Sequence, residues 1–159
     1  MSILSKSKFP INGTAKEIGN YYENYTKERL QKEGFGFLAH SYLAHPHEID
    51  LIMTEDSYIV FVEVKARLTS ERIKPEFAVD KVKMKNIFFA AARFIAEMSD
   101  MGIDPHAFGY RFDMAAIEHE ENGQVSAFRY HRSYYEVEEK DLIRYAQRYK
   151  SLSINKIKD

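Results

Sequence analysis

One nine-residue run, Tyr58 to Ala66, restricts the fold of this chain more than any other segment. Because successive side chains of an extended strand point to opposite faces, Ile59 and Phe61 share one face. Three valines at positions 60, 62 and 64 occupy the other face. A strand that is apolar on both faces is covered on both sides, as in the interior of a sheet. The run therefore predicts a central strand in a sheet that other elements cover on both faces.

The rest of the chain supplies the elements for such a sheet. Thr14 with Glu17 is a capping-box pattern that predicts the start of a helix, and Gly34 is suited to end it. Strands are predicted over residues 35–43, 48–54, 58–66, 110–118 and 124–131, and further helices over residues 76–99 and 138–149. The apolar stripe expected on the second helix comprises Phe77, Val82, Ile87, Phe88, Ala91, Phe94, Ile95 and Met98. The order α-β-β-β-α-β-β-α predicts an α/β protein with a central mixed β-sheet flanked by helices.

Length and composition indicate one domain. At 159 residues the chain can bury its own core. We predict a flexible leader over residues 1–13, a single domain over residues 14–150 and a tail over residues 151–159. The absence of cysteine excludes disulfides and thiolate metal sites. Because the sequence has neither a signal-peptide core nor a run of about 20 apolar residues, we expect a cytoplasmic protein with no membrane partner.

The charge of the chain is unevenly distributed. Its formal net charge of −1 is unlike that of proteins that coat nucleic acid indiscriminately. Between residues 65 and 93, however, eight basic and three acidic residues give a local excess of five positive charges. A face that binds phosphate needs such an excess, although a solvated helix face also has one. The candidate nucleic-acid contacts in this stretch are Arg67, Lys81, Lys83 and Lys85.

Charged residues interrupt two of the apolar strands, and their spacing predicts a cation site. If the second and third strands form an antiparallel hairpin, Asp50 lies either opposite Glu63 or diagonal to it, with Cβ atoms roughly 4.5–8 Å apart. Two adjacent carboxylates repel each other unless a cation lies between them. Mg²⁺ commonly takes one or two carboxylates together with a substrate phosphate. With Lys65 one pleat further along, the pattern predicts metal-dependent phosphodiester hydrolysis, whereas the simpler alternative is an ion pair between Lys65 and Glu63.

The segments EIDLI and VFVEVKAR resemble the PD-(D/E)xK restriction-endonuclease-like superfamily. More closely, they are similar to the YraN-like family of predicted endonucleases, which is related to archaeal Holliday-junction resolvases. The resemblance extends over residues 18–117, in order. Its further motifs are Ile18-Gly19, Glu23, Leu30 and Gly34-Phe35 in the first helix, Ala78-Val79, Lys83, Ile87 and Ala91-Ala92 in the second, and Arg111-Phe112-Asp113 in the following strand.

This resemblance implies a restriction-endonuclease-like fold and a site for Mg²⁺ or Mn²⁺. Asp50 and Glu63 would be metal ligands together with the backbone carbonyl of Val64, Glu23 would complete the acidic site, and Lys65 would be the catalytic lysine. Glu48 and His47, in the same motif as Asp50, are candidate accessory residues. The implied substrate is DNA, including branched or repair intermediates, with RNA as the alternative. Cleavage of two strands would need two active sites, so a homodimer is also expected.

Two other hypotheses stay open at this point. Tyr22 and His47 stand where the family usually has glycine, which favours a non-catalytic nucleic-acid-binding module that keeps the nuclease-like fold. The near-neutral net charge favours a structural or partner-binding protein without a nucleic-acid role. His40, His45 and His47 crowd one segment, but their spacing is not typical of a tetrahedral zinc site.

Overall fold

The structure is a computed structural model that describes residues 8–78 and 80–157, with the side chains of residues 8–78 and 80–149. Three α-helices and five strands follow one another in the predicted order. They are α1 (Ala15–Lys32), β1 (Gly36–Ala44), β2 (His47–Glu55), β3 (Tyr58–Leu68), α2 (Lys81–Asp100), β4 (Gly109–His119), β5 (Val125–Tyr135) and α3 (Glu139–Ile157), with short 3-10 helices at Pro75–Ala78 and Pro105–Ala107. Among the described helices, none is both long and apolar enough to span a membrane.

The five strands form one mixed sheet in the order β1-β2-β3-β4-β5. The pairs β1/β2, β2/β3 and β4/β5 are antiparallel, whereas β3 and β4 are parallel because α2 carries the chain across between them. The predicted central position of β3 is therefore confirmed. The α/β class and the restriction-endonuclease-like arrangement of a mixed sheet flanked by helices are confirmed with it.

Both faces of β3 are buried, but in different halves of the core. Ile59 and Phe61 belong to a cluster with the apolar side chains of α2 and α3. Val60 and Val62 pack on the other face, in a second cluster that contains Leu30 of α1. Burying each of these side chains contributes about 1.5–3 kcal/mol. Alternate side chains of β3 thus point to opposite faces of the sheet, and helices pack on both faces.

The ends of α1 follow from local chemistry, as predicted. The Thr14 hydroxyl accepts a hydrogen bond from the Glu17 backbone N–H at 3.2 Å, which satisfies one of the free donors of the first turn. At the other end Gly34 adopts φ +98°, a left-handed conformation that favours glycine. The Phe35 N–H then donates to the Leu30 carbonyl at 3.0 Å and closes the helix.

The start of α2 differs from the prediction. The helix begins at Lys81 rather than near Glu76, because the Asp80 side chain caps it by accepting from the Lys83 N–H at 2.8 Å. Residues 75–78 form a separate 3-10 helix instead. Including Phe77 and Val82 in the apolar stripe was also wrong, since their side chains are 78% and 66% exposed.

The carboxyl-terminal elements are longer than predicted. Strand β5 continues to Tyr135 rather than ending at residue 131, and β4 and β5 stay paired up to the contact of Tyr135 with Phe112. Helix α3 continues to Ile157, eight residues beyond the predicted end at Tyr149 and into the segment expected to be a tail. The predicted leader, residues 1–13, lies partly outside the described residues.

Candidate metal centre

The hairpin of β2 and β3 has the register that brings its two acidic residues together. Leu51 pairs with Val62 and Ile52 with Phe61, so opposed residue numbers sum to 113. The ladder ends at the Leu51–Val62 pair, and Asp50 and Glu63 are the next residues beyond it on the two strands. The Asp50 carboxylate replaces the next backbone hydrogen bond of the ladder, because its Oδ2 accepts from the Val64 N–H at 2.8 Å. Asp50 therefore lies where β2 and β3 separate, with its carboxylate against the backbone of β3.

Glu63 is the most buried carboxylate of this site. Its side chain is 3% exposed, and its Oε1 lies 3.6 Å from Lys65 Nζ and 3.4 Å from Lys83 Nζ. Its other oxygen, Oε2, is buried and has no hydrogen-bond partner. Burial and the neighbouring Asp50 carboxylate raise the pKa of Glu63, and the two lysines offset this only in part. A buried acceptor without a partner is costly, and a cation would satisfy it.

Lys83 reaches the same carboxylate oxygen as Lys65, but it comes from a different element. Lys65 lies on β3, two residues after Glu63, whereas Lys83 comes from the first turn of α2. The Asp80 cap fixes that turn, and α2 packs on the face of the sheet that carries Phe61. Lys83, which the sequence suggested as a nucleic-acid contact, therefore contributes a positive charge next to Glu63.

The other basic candidates lie on the surface around the site. Lys81 and Lys85 are exposed on α2, and Lys85 Nζ lies 5.7 Å from the centre of the Phe89 ring. Arg67 is exposed on β3, where its Nε is 3.9 Å from the Glu71 carboxylate. Neither of these two contacts, that of Lys85 with Phe89 and that of Arg67 with Glu71, is short enough to hold its cation firmly in place. All three side chains can reorient toward a polyanion.

Glu23 approaches from α1 and is held by two residues of β1. Its Oε2 lies 2.6 Å from His40 Nε2 and 3.4 Å from the Ser41 hydroxyl, which donates to it. Burial, then the charges of Asp50 and Glu48, raises the pKa of Glu23 to about 8. Glu23 is therefore close enough to the acidic residues of the hairpin for their charges to act on it. His40 and Ser41 were not among the predicted site residues, and the only signal for them was the histidine-rich segment.

The two accessory candidates separate in the structure. Glu48 is exposed, and its charge acts on Glu23. The His47 ring instead stacks on Phe89 of α2, with ring centres 6.3 Å apart. His47 thus contacts the helix that covers the sheet and makes no recorded hydrogen bond with the carboxylates.

Tyr22 packs away from the carboxylates. Its side chain is completely buried, and its hydroxyl donates to the Gly123 carbonyl in the turn between β4 and β5 at 3.0 Å. Its ring lies 4.6 Å from that of His119, which pairs with Leu68, five residues beyond Glu63 along β3. The tyrosine adjacent to Glu23 in sequence is therefore a core residue.

The residues present fit a hard divalent cation with an open coordination sphere. Within residues 8–78 and 80–157, no group of three or more histidine, aspartate or glutamate side chains is close enough to form a complete cage. Mg²⁺ does not require one, because it usually keeps several waters and uses one or two carboxylates. Asp50 and Glu63 are two such carboxylates, and the unpartnered Glu63 Oε2 is an oxygen that a cation could bind.

Comparison with known proteins finds a family match and several relatives from that same family. A family described as "Uncharacterised protein family UPF0102" matches residues 22–117, which include Glu23, Asp50, Glu63 and Lys65. A UPF0102 protein of Vibrio parahaemolyticus is 37% identical over 102 residues, covering 64% of this chain and 81% of the relative. One of Chloroherpeton thalassium is 36% identical over 100 residues (63% and 74%), and one of Chlorobium chlorochromatii is 34% identical over 119 residues (69% and 92%). The family resemblance of the sequence motifs is confirmed.

Proposed function

The chain belongs to the uncharacterised protein family UPF0102, and we propose that it is a divalent-metal-dependent nuclease that hydrolyses phosphodiester bonds of DNA. One observation carries the proposal: Glu63 is buried beside Asp50 with one carboxylate oxygen unpartnered. A protein gains no stability from two neighbouring carboxylates of which one is desolvated. Such an arrangement is typical of a site that binds a cation.

Asp50 and Glu63 would hold Mg²⁺ or Mn²⁺. The Val64 carbonyl and Glu23 are the further ligands that the family resemblance implies. When bound, the cation would polarise a phosphate oxygen and lower the pKa of a coordinated water. Glu23, kept in position by His40, would stay close enough to Asp50 and Glu63 for their charges to interact.

Lys65 supplies positive charge where the reaction would create negative charge. Its ammonium group is 3.6 Å from Glu63 Oε1, next to the oxygens proposed to bind the metal, and its side chain is 29% exposed. A preorganised cation at such a position stabilises the charge that develops on a phosphate in the transition state. Lys83 Nζ, 3.4 Å from the same Glu63 oxygen, keeps that carboxylate in place.

The exposed cations around the site would bind the phosphate backbone of the substrate. Arg67, Lys81 and Lys85 lie on β3 and α2, the two elements that also carry Lys65 and Lys83. Contacts of this kind give affinity without sequence preference and weaken steeply with salt. They suit DNA of irregular structure, such as branched or repair intermediates.

The test is a cleavage panel with purified protein on linear duplex, single-stranded and branched DNA, and on RNA, with Mg²⁺, Mn²⁺ or chelator. Glu63→Gln keeps the volume of the side chain but removes its charge, and Glu136→Gln, at an exposed position after β5, is the matched control. We expect cleavage that requires the metal, persists in Glu136→Gln and falls at least 100-fold in Glu63→Gln, in the range for loss of an essential electrostatic group. Cleavage that survives chelation, or equal activity of both variants, contradicts the proposal.

A second candidate function is a non-catalytic nucleic-acid-binding module. It is favoured by the two lysines beside Glu63, because their ammonium groups already compensate part of the charge that a metal would neutralise. This alternative predicts that a calorimetric titration with Mn²⁺ shows no binding while DNA binding is retained. Metal binding that disappears in Glu63→Gln rules it out.

A further inference from the structure

We propose that an exposed apolar patch, formed by Ile73, Phe77 and Val82, stacks on unpaired bases of the nucleic acid beside the metal centre. The inference rests on the proposed function and specifies its substrate: DNA with unstacked bases close to the cleaved bond. Phe77 supplies the aromatic face, while Ile73 and Val82 supply the apolar contacts around it.

The exposure of this patch is unusual for such side chains. Phe77 is 78% exposed, Val82 66% and Ile73 64%, and among the large apolar side chains that the structure describes only Met101 (77%) and Ile11 (63%) are comparably exposed. Single exposed apolar residues are common on protein surfaces, but a cluster often marks a binding site. Here the three residues fall within one ten-residue stretch of the chain.

The sheet register places this patch next to the catalytic lysine. Lys65 pairs with Ala116, and Ala116 pairs with Arg129, so Lys65 and Arg129 lie two strands apart on one line across the sheet. Neighbouring strands are about 4.8 Å apart, which sets the separation of the two backbones at about 10 Å. Arg129 in turn binds Glu76, the residue immediately before Phe77.

Phe77 is presented by a firmly held segment rather than by a free loop. Both Glu76 carboxylate oxygens accept hydrogen bonds from the Arg129 guanidinium, at 2.5 and 3.0 Å. The Glu76 backbone carbonyl accepts from the Tyr134 hydroxyl at 2.8 Å, and His131 Nε2 lies 3.2 Å from the Glu76 carboxylate. A bidentate arginine–carboxylate pair fixes the relative orientation of the two groups as well as their distance. The backbone that carries the ring is thus held in place, which lowers the entropy cost of stacking.

The other end of the patch is tied to the metal centre itself. Val82 precedes Lys83, and Lys83 Nζ is 3.4 Å from Glu63 Oε1. Exposed basic residues alternate with the apolar ones along this stretch: Arg72, Lys74 and Lys81. A polyanion that also offers flat apolar faces complements such a surface, and single-stranded nucleic acid has both properties. In a regular duplex the faces of the bases are already stacked on one another.

The test measures binding of the full chain to a single-stranded oligonucleotide and to its duplex, with chelator present so that no cleavage occurs. An oligonucleotide containing 2-aminopurine reports stacking through the quenching of its fluorescence. Phe77→Ala removes the ring, Phe77→Trp keeps an aromatic face, and Met101→Ala is the matched control. Met101 is 77% exposed but lies at the opposite end of α2.

We expect Phe77→Ala to weaken single-strand binding by about 5- to 150-fold, the range for loss of one stacked base, and to abolish most of the quenching. Phe77→Trp and Met101→Ala should bind like the unmodified protein. The dependence of affinity on salt should not change in Phe77→Ala, because no phosphate contact is lost.

Several results overturn the inference while leaving the proposed nuclease intact. They are unchanged single-strand affinity of Phe77→Ala, equal weakening on duplex and single strand, and a change in sedimentation that assigns the patch to contact between two copies of the chain. If the unmodified protein neither binds nor cleaves nucleic acid, the proposed function fails first and the stacking inference with it.

Discussion

Replacing Glu63 with glutamine should remove much of the pH dependence that this site imposes on stability. Burial first, and then the Asp50 carboxylate, raise the pKa of Glu63 to about 8 from its ordinary 4.5, while Lys83 and Lys65 lower it in part. An acid with a raised pKa in the folded state stabilises the protein fully below its unfolded pKa. That contribution is lost as the pH rises through the folded pKa. The metal-free protein should therefore lose stability between about pH 4.5 and about pH 8.

The size of this loss of stability follows from the pKa shift of Glu63 and from the burial of its side chain. Each pKa unit corresponds to about 1.4 kcal/mol, so the shift of Glu63 from 4.5 to about 8 accounts for a loss on the order of 5 kcal/mol across this window. The Glu63 side chain is only 3% exposed, so solvent screens little of this electrostatic effect. Glutamine cannot ionise and removes this contribution, leaving that of Glu23, whose pKa is also raised to about 8. A cation that binds only the folded protein restores about 2.7 kcal/mol at 100 times its Kd.

Urea unfolding at several pH values between about 5 and about 8 measures these quantities, in chelator and in excess Mn²⁺. The unmodified protein should become less stable with rising pH in chelator and recover in Mn²⁺. Glu63→Gln should show a flatter profile and no recovery, whereas the exposed control Glu136→Gln should follow the unmodified protein. An equally steep pH profile in Glu63→Gln, or equal stabilisation of it by Mn²⁺, refutes the reasoning.

Three further predictions test other parts of the account. Tyr22→Phe removes the hydrogen bond to the Gly123 carbonyl and should cost about 1–2 kcal/mol in urea unfolding, with the single-turnover cleavage rate unchanged. His40→Ala releases Glu23 and should weaken Mn²⁺ binding about 10- to 100-fold in calorimetry. Asp113→Ala leaves its partner Arg111 without this carboxylate and should cost about 3–5 kcal/mol in stability, with metal affinity unchanged. A faster or slower Tyr22→Phe enzyme, normal metal affinity of His40→Ala, or altered metal affinity of Asp113→Ala would each contradict the assigned role.

The central hairpin could be predicted because its signals are local. Alternation of apolar side chains identified β3 and its two buried faces, and the short turn limited the register to two or three choices. The structure has the one in which Leu51 pairs with Val62, so that Asp50 and Glu63 lie at the same end of the ladder. The pairing of Arg111 with Asp113, on one face of β4, was predictable for the same reason.

The remainder of the site depends on contacts between residues far apart in sequence. Glu76 has helix-forming neighbours, but it binds Arg129, 53 residues later, and this contact holds a 3-10 helix instead. Lys83 reaches Glu63 only because α2 docks on the sheet, and no local pattern encodes that docking.

Tyr22 illustrates the same difficulty within α1. Its position beside Glu23 in sequence suggested interference with the site, whereas a helix turns side chains of neighbouring residues about 100° apart. The direction of its ring was settled by contacts with His119, at the end of β4, and with Gly123, in the turn that follows it.

The central claim is that the neighbouring carboxylates of Asp50 and Glu63 make this chain a metal-dependent nuclease. The most direct measurement is the single-turnover rate of DNA cleavage by the unmodified protein and by Asp50→Asn, prepared in parallel, with Mn²⁺ and with chelator. The account predicts cleavage only by the unmodified protein with Mn²⁺, with Asp50→Asn at least 100-fold slower. Equal rates for the two proteins, or cleavage that persists in chelator, would contradict it.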